Sequence, residues 1–82
     1  MIDRLRGMVQ AISEESVEIK ADDNLFKTGL LDSMLLIRLV EKIEKEFHIS
    51  VEDRELSPDY FLTLDRMSLF IRTKLGDSAG KQ

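Results

Sequence analysis

An all-α bundle is the fold class this sequence predicts, on three observations. Apolar residues recur at steps of three and four in separate segments, the spacing that lines one face of a helix. Apolar residues make up 43% of the chain but include only five aromatics, so Leu, Ile, Val and Met must fill the core. Eighty-two residues suit one domain, near the size at which a single hydrophobic core only just offsets chain entropy. The expected architecture is a four-helix bundle, with main helices at about 2–13, 33–47 and 64–75, a short helix at about 58–61 and a long loop over 14–32. The domain is expected to span 1–75, followed by a flexible C-terminal tail over 76–82.

The first helix rests on Ile2, Leu5, Met8, Val9 and Ile12, which fall on one stripe, with Asp3 in the first turn where a negative charge suits the helix dipole. Gly7 costs ~1 kcal/mol relative to Ala in a helix interior, and its one sequence-level rationale is the close approach of a neighbour. From Ser13 to Asp32 the helical period disappears, and Glu14-Glu15-Ser16 and Ala21-Asp22-Asp23-Asn24 are turn chemistry. A loop of more than ~15 residues in so small a domain tends to be pinned or functional. Leu25, Phe26, Leu30 and Leu31 are the expected pins, and Val17 and Ile19 either join them or form a brief extended piece.

The second helix carries the strongest pattern. Leu36, Leu39, Val40, Ile43 and Phe47 form its apolar stripe, while Arg38, Glu41, Lys42, Lys45 and Glu46 occupy much of the other side. Glu41 and Lys45 stand four apart in the favourable order, a spacing worth about 0.2 to 0.5 kcal/mol when paired. Beyond His48, Ser57-Pro58 reads as an N-cap followed by proline at the first helical position, and Asp59, Tyr60 and Phe61 continue it for about one turn. Thr63 is the next expected N-cap, opening a last helix traced by Leu64, Met67, Leu69 or Phe70, and Ile71.

Composition excludes several functions. Sixteen acids against twelve bases give a net charge of −4, which repels phosphate backbones and favours basic protein partners over nucleic acid. Without cysteine there is no disulfide, no thiolate metal site and no thiol nucleophile, so any thioester chemistry needs a borrowed sulfur. No signal peptide and no membrane span is legible, and a cytoplasmic monomer is the expectation. His48 is the sole histidine, placed just past a helix end as a solvated or capping residue. Asp22 and Asp23 lack the Gly and terminal Glu of a calcium loop, and the four glycines are too scattered for a phosphate cradle, so no metal site is expected. Ser33 and His48 lie at opposite ends of one helix, ~20 Å apart by its rise, so they cannot form a catalytic pair and no enzyme is expected.

Ser33 is thus a hydroxyl without a base at the start of a helix, where free N–H groups and a partial positive charge favour a bonded phosphate. The residues alone leave two roles open. Either Asp32 or Ser33 is merely the N-cap, as most serines at helix starts are, or Ser33 is a point of covalent attachment.

At this junction the chain resembles the acyl and peptidyl carrier proteins, small four-helix domains that bear 4'-phosphopantetheine. Gly29, Leu30, Asp32, Ser33 and Met34 are similar to the family's Asp-Ser motif in place and order. Asp23, Leu25 and Phe26 resemble an element of its long loop, Glu44 to Phe47 its acidic helix end, and Ser57-Pro58 the start of its short helix. The resemblance implies that a phosphopantetheinyl transferase, using coenzyme A and magnesium, attaches the arm to Ser33, with Asp32 capping the helix and assisting recognition. The arm's thiol would then carry acyl or aminoacyl groups as thioesters. A loading ligase and downstream acyl-processing enzymes of lipid, polyketide or nonribosomal peptide biosynthesis are the implied partners. Met34, Leu35, Ile37, Arg38, Glu41 and Lys45 are the expected partner-facing residues. The mixed charge of helix two departs from general fatty-acid carriers, and the Leu-Leu-Asp-Ser-Met run and Ser57 to Phe61 look more like discrete D-alanyl and peptidyl carriers. The alternative is a helical adaptor that docks partners non-covalently through the same face.

Overall fold

The computed structural model describes residues 1–80, with side chains described through residue 76. Its elements in order are α1 (Ile2–Ser13), α2 (Ser33–Phe47), a 3-10 turn (Asp53–Glu55), α3 (Pro58–Phe61) and α4 (Leu64–Gly80). The all-α expectation holds, and the boundaries of the first three α-helices are those the sequence predicts. Among the described residues no helix is long and apolar enough to cross a membrane.

Each helix ends for a local reason. Glu14 closes α1 and His48 closes α2, both in the left-handed conformation, with φ of 58° and 57°. The next N–H in each case reaches back across the last turn, Glu15 to the Gln10 carbonyl and Ile49 to the Glu44 carbonyl, which satisfies groups the helix leaves unpaired. Ser57 caps α3 by accepting from the Asp59 N–H, and Thr63 Oγ1 accepts from the Arg66 N–H at 3.0 Å at the start of α4, both as expected.

One hydrophobic core joins all the helices and the long loop. Leu5 and Val9 come from α1; Leu36, Leu39, Val40 and Ile43 from α2; Phe61 from α3; and Leu64, Met67, Phe70 and Ile71 from α4. Ile19, Leu25 and Leu31, from the loop over 14–32, are as deeply buried as any helical residue. Of the remaining expected pins, Phe26 and Leu30 are half-buried against this core, whereas Val17 is exposed. Only the backbone of Val17 is held, its carbonyl accepting from Gln10 Nε2 at 2.9 Å. Similar bonds hold the loop elsewhere: Arg6 Nε donates to the Ile19 carbonyl at 2.7 Å, the Leu25 N–H to the Leu62 carbonyl at 2.9 Å, and the Asp65 N–H to the Ala21 carbonyl at 3.0 Å.

Three expectations change. Helix α4 continues to Gly80 rather than stopping at Leu75, because Gly76 keeps a negative φ inside the helix instead of turning the chain out of it, and no proline follows. The tail expected from Gly76 onward therefore begins as helix, and residues 81 and 82 lie outside the described residues. Gly7 has no close neighbour, since a Cβ built there meets nothing within 4 Å. The 3-10 turn was not among the expected elements: it combines a local capping box between Glu52 and Glu55 with one partner distant in sequence, Lys74. Glu55 Oε1 accepts from the Glu52 N–H at 2.9 Å and from Lys74 Nζ of α4 at 2.6 Å.

Candidate functional site

The approach to α2 is a chain turned at Gly29 and buried at Leu31. Gly29 has φ of 85°, a left-handed conformation that a side chain would strain, and its N–H bonds the Phe26 carbonyl at 3.2 Å. Before it, Asn24 Oδ1 accepts from the N–H groups of Phe26 and Lys27, a side-chain-stabilised turn. Leu31 is 1% exposed, and its N–H donates to the Leu25 carbonyl at 3.0 Å. Ser33 stands two positions beyond that anchor, and its side chain is exposed.

The structure divides the two roles that the residues left open. Asp32 has extended backbone geometry and is the N-cap: its Oδ1 accepts from the Leu35 N–H at 2.9 Å, and its carbonyl accepts from the Leu36 N–H at 2.8 Å. Ser33 is the first residue of the helix itself. Among the described residues its hydroxyl has no hydrogen-bond partner, and neither do the N–H groups of Ser33 and Met34. A free hydroxyl beside two free N–H donors at the positive end of a 15-residue helix is a setting in which a phosphate oxygen is stabilised. His48 stands at the opposite end of that helix as its C-cap, so no imidazole can deprotonate Ser33 within the chain.

Along α2 the outward face begins at this hydroxyl. Met34 and Ile37 are 69% and 52% exposed, large apolar side chains left in solvent. Arg38, Glu41 and Lys45 are exposed beside them. Leu35 is placed differently: it is half-buried at the margin of the face and packs against the core. The Glu41–Lys45 ion pair that the spacing allows is not among those formed by the described residues.

Two features of the surface were missed from sequence. Lys42 and Glu44 join Arg38, Glu41 and Lys45 around a shallow depression on α2, and for Lys42 the signal was present, since it stands four residues after Arg38. A second groove runs between α3 and α4, with Tyr60, Leu69 and Phe70 in its walls and the Glu55–Lys74 ion pair at its margin. Tyr60 stacks on Phe70 at 4.8 Å. No sequence period reports this groove, because it depends on how a four-residue helix packs against α4.

Comparison with known proteins identifies the family. A family model described as a phosphopantetheine attachment site matches residues 3–68, which include the junction and most of the core. The chain is also similar to the D-alanyl carrier proteins of Leuconostoc citreum and Leuconostoc mesenteroides subsp. mesenteroides. Each is 28% identical to it over 69 residues, covering 84% of this chain and 88% of the relative. No solved structure gives a significant match.

Proposed function

This chain belongs to the phosphopantetheine attachment-site family, non-catalytic carriers with a covalently attached 4'-phosphopantetheine, and we propose from that premise that Ser33 is the attachment residue. The observation that supports this most directly is the division of labour at the start of α2. Asp32 performs the capping, which leaves the neighbouring hydroxyl exposed and unbonded. The residues fit the group: a phosphodiester on Ser33 Oγ would lie at the positive helix end, within reach of free backbone N–H groups, while the Asp32 carboxylate is directed to the Leu35 N–H.

Because the chain supplies no base, activation of Ser33 falls to the transferase. In the transfer, Ser33 Oγ forms a bond to the β-phosphorus of coenzyme A as the phosphoanhydride bond breaks. Adenosine 3',5'-bisphosphate leaves, and the hydroxyl proton passes to a base of the transferase. The bound arm supplies the thiol that this cysteine-free chain lacks, and so the means of carrying an acyl or aminoacyl group as a thioester. Asp32 holds the first turn in place through its bond to the Leu35 N–H, and as the exposed residue next to Ser33 it would assist recognition by the transferase.

The outward face of α2, with Met34, Ile37, Arg38, Glu41 and Lys45, and with Leu35 at its edge, is where the transferase, a loading ligase and later acyl-processing enzymes would dock. The similarity to two D-alanyl carriers favours an aminoacyl load, D-alanine first among candidates. The carrier would work as a monomer in the cytoplasm, where coenzyme A and the ligase's ATP are found.

Incubation with coenzyme A and a promiscuous phosphopantetheinyl transferase is expected to raise the intact mass by one phosphopantetheine. Ser33→Ala abolishes the gain. A wild-type mass that does not change with any transferase, together with a Ser33→Ala variant that keeps its biological function, would replace this reading with the non-covalent adaptor.

A further inference from the structure

The acids and bases of α2 are used differently. Glu46 turns back to α1, where it pairs with Arg4, whose guanidinium also lies 5.0 Å from the centre of the Phe47 ring. Glu44 turns to the segment beyond the helix and accepts from the Val51 N–H at 2.8 Å. Arg38, Lys42 and Lys45 are all exposed and form no ion pair with any described residue. Glu41 is the one acid of the helix without such an intramolecular bond.

Helical geometry gathers the unpaired groups. At about 100° per residue, Ile37, Glu41, Met34, Lys45, Arg38 and Lys42 fall within an arc of about 140°, with the buried stripe on the opposite side. Three cations and one unbonded acid therefore share the face that carries the two exposed apolar side chains, with the second acid, Glu44, at its margin and bonded to the Val51 N–H. Helix stability does not account for this arrangement. Lys45 in the last turn suits the dipole, but Arg38 and Lys42 are like charges four apart, a spacing that costs a few tenths (~0.2 to 0.5) of a kcal/mol.

We infer that this face of α2 docks an acidic protein surface, so that the enzymes meeting this domain at Ser33 present carboxylates to Arg38, Lys42 and Lys45. The whole-chain charge of −4 points the other way, toward basic partners, but long-range charge and local contact are separate quantities. The same −4 disfavours extended polyanions such as RNA or an anionic membrane, which would feel the entire molecule. Met34 and Ile37 add the apolar contact area that a protein interface places inside a polar rim. The proposal rests on the carrier reading only for the identity of the docking enzymes; the sign of the face stands on its own residues.

The test uses the full-length 15N-labelled protein, titrated with a short glutamate-rich peptide, a lysine-rich peptide of the same length, a short single-stranded RNA and vesicles of anionic phospholipid. The glutamate-rich peptide is expected to shift amide resonances over residues 37–45 of α2. The triple variant Arg38→Glu, Lys42→Glu, Lys45→Glu should bind it at least about tenfold more weakly, and Glu41→Lys more tightly. A glutamate-rich peptide that leaves α2 unshifted, or RNA or vesicles that occupy the face more tightly than the peptide, overturns the proposal. The mass gain at Ser33 is read on the same samples. Loss of modification with peptide binding intact refutes the carrier assignment alone, and the converse refutes the acidic partner alone.

Discussion

Ser33 and Asp32 are adjacent, both polar and both exposed, yet they should respond oppositely to truncation. Asp32→Ala removes the acceptor of the Leu35 N–H and is expected to lower stability by about 1 kcal/mol, read as a shift in urea midpoint without a change in slope. Ser33→Ala removes a hydroxyl with no partner and should stay within about 0.5 kcal/mol of wild type while losing every trace of modification. A serine that acted as the cap would reverse this order. Much of the junction is legible in sequence, because Gly29, Asp32 and Ser33 each have a strong local preference that the structure realises. Residue preference alone does not say which of the two caps, since both types are good caps; the family resemblance implied Asp32, and the extended backbone and side-chain bond at Asp32 agree. The half-burial of Leu35 was not legible either: it lies at the edge of the apolar arc, where packing by the surrounding elements decides burial.

The helices show where periodicity informs and where it stops. The stripes of α1 and α2 gave their boundaries because each pattern ends in residues that leave the helix, Glu14 and His48, and each helix buries its stripe in one core. In α4 the ambiguity between Leu69 and Phe70 resolves to Phe70, which packs edge-on against Phe61, while Leu69 is 66% exposed. The expected stop at Gly76 failed because glycine ends a helix only when it adopts the left-handed conformation, and this one does not. Gly7 shows the same point from within a helix. With open space at its Cβ position and no positive φ, Gly7→Ala should stabilise α1, and with it the domain, by about 0.5 to 1 kcal/mol. The melting temperature is expected to rise by several degrees, and no rise would mean that α1 contributes less to the cooperative unit than its burial of Leu5 and Val9 implies.

Across the whole molecule, the contacts that complete the fold join segments distant in sequence, which is why patterning did not reveal them. The Glu55–Lys74 pair fastens the 3-10 turn to α4, and each of the two side chains is only 22% exposed. The hydrogen bond from Lys74, followed by that from the Glu52 N–H, holds the Glu55 carboxyl below its usual value of 4.5. A lowered folded-state value means that this contribution is present above 4.5 and disappears as pH falls through the lower, folded-state value. Urea denaturation should therefore show Glu55→Gln less stable than wild type near neutrality, with the two converging in acid. An undiminished gap in acid would assign the effect to shape instead of charge. The loop over 14–32 is fastened in the same long-range manner, by Ile19, Leu25 and Leu31 in the core and by backbone bonds to α1, Leu62 and Asp65. Leu31 then has a mechanical consequence. Two residues of chain span at most about 7 Å, so Ser33 is tethered to the core on a very short leash. Whatever is bonded there swings from a pivot close to the core, and its reach from the docked domain is set by its own length, with at most about 7 Å added by the chain between Leu31 and Ser33.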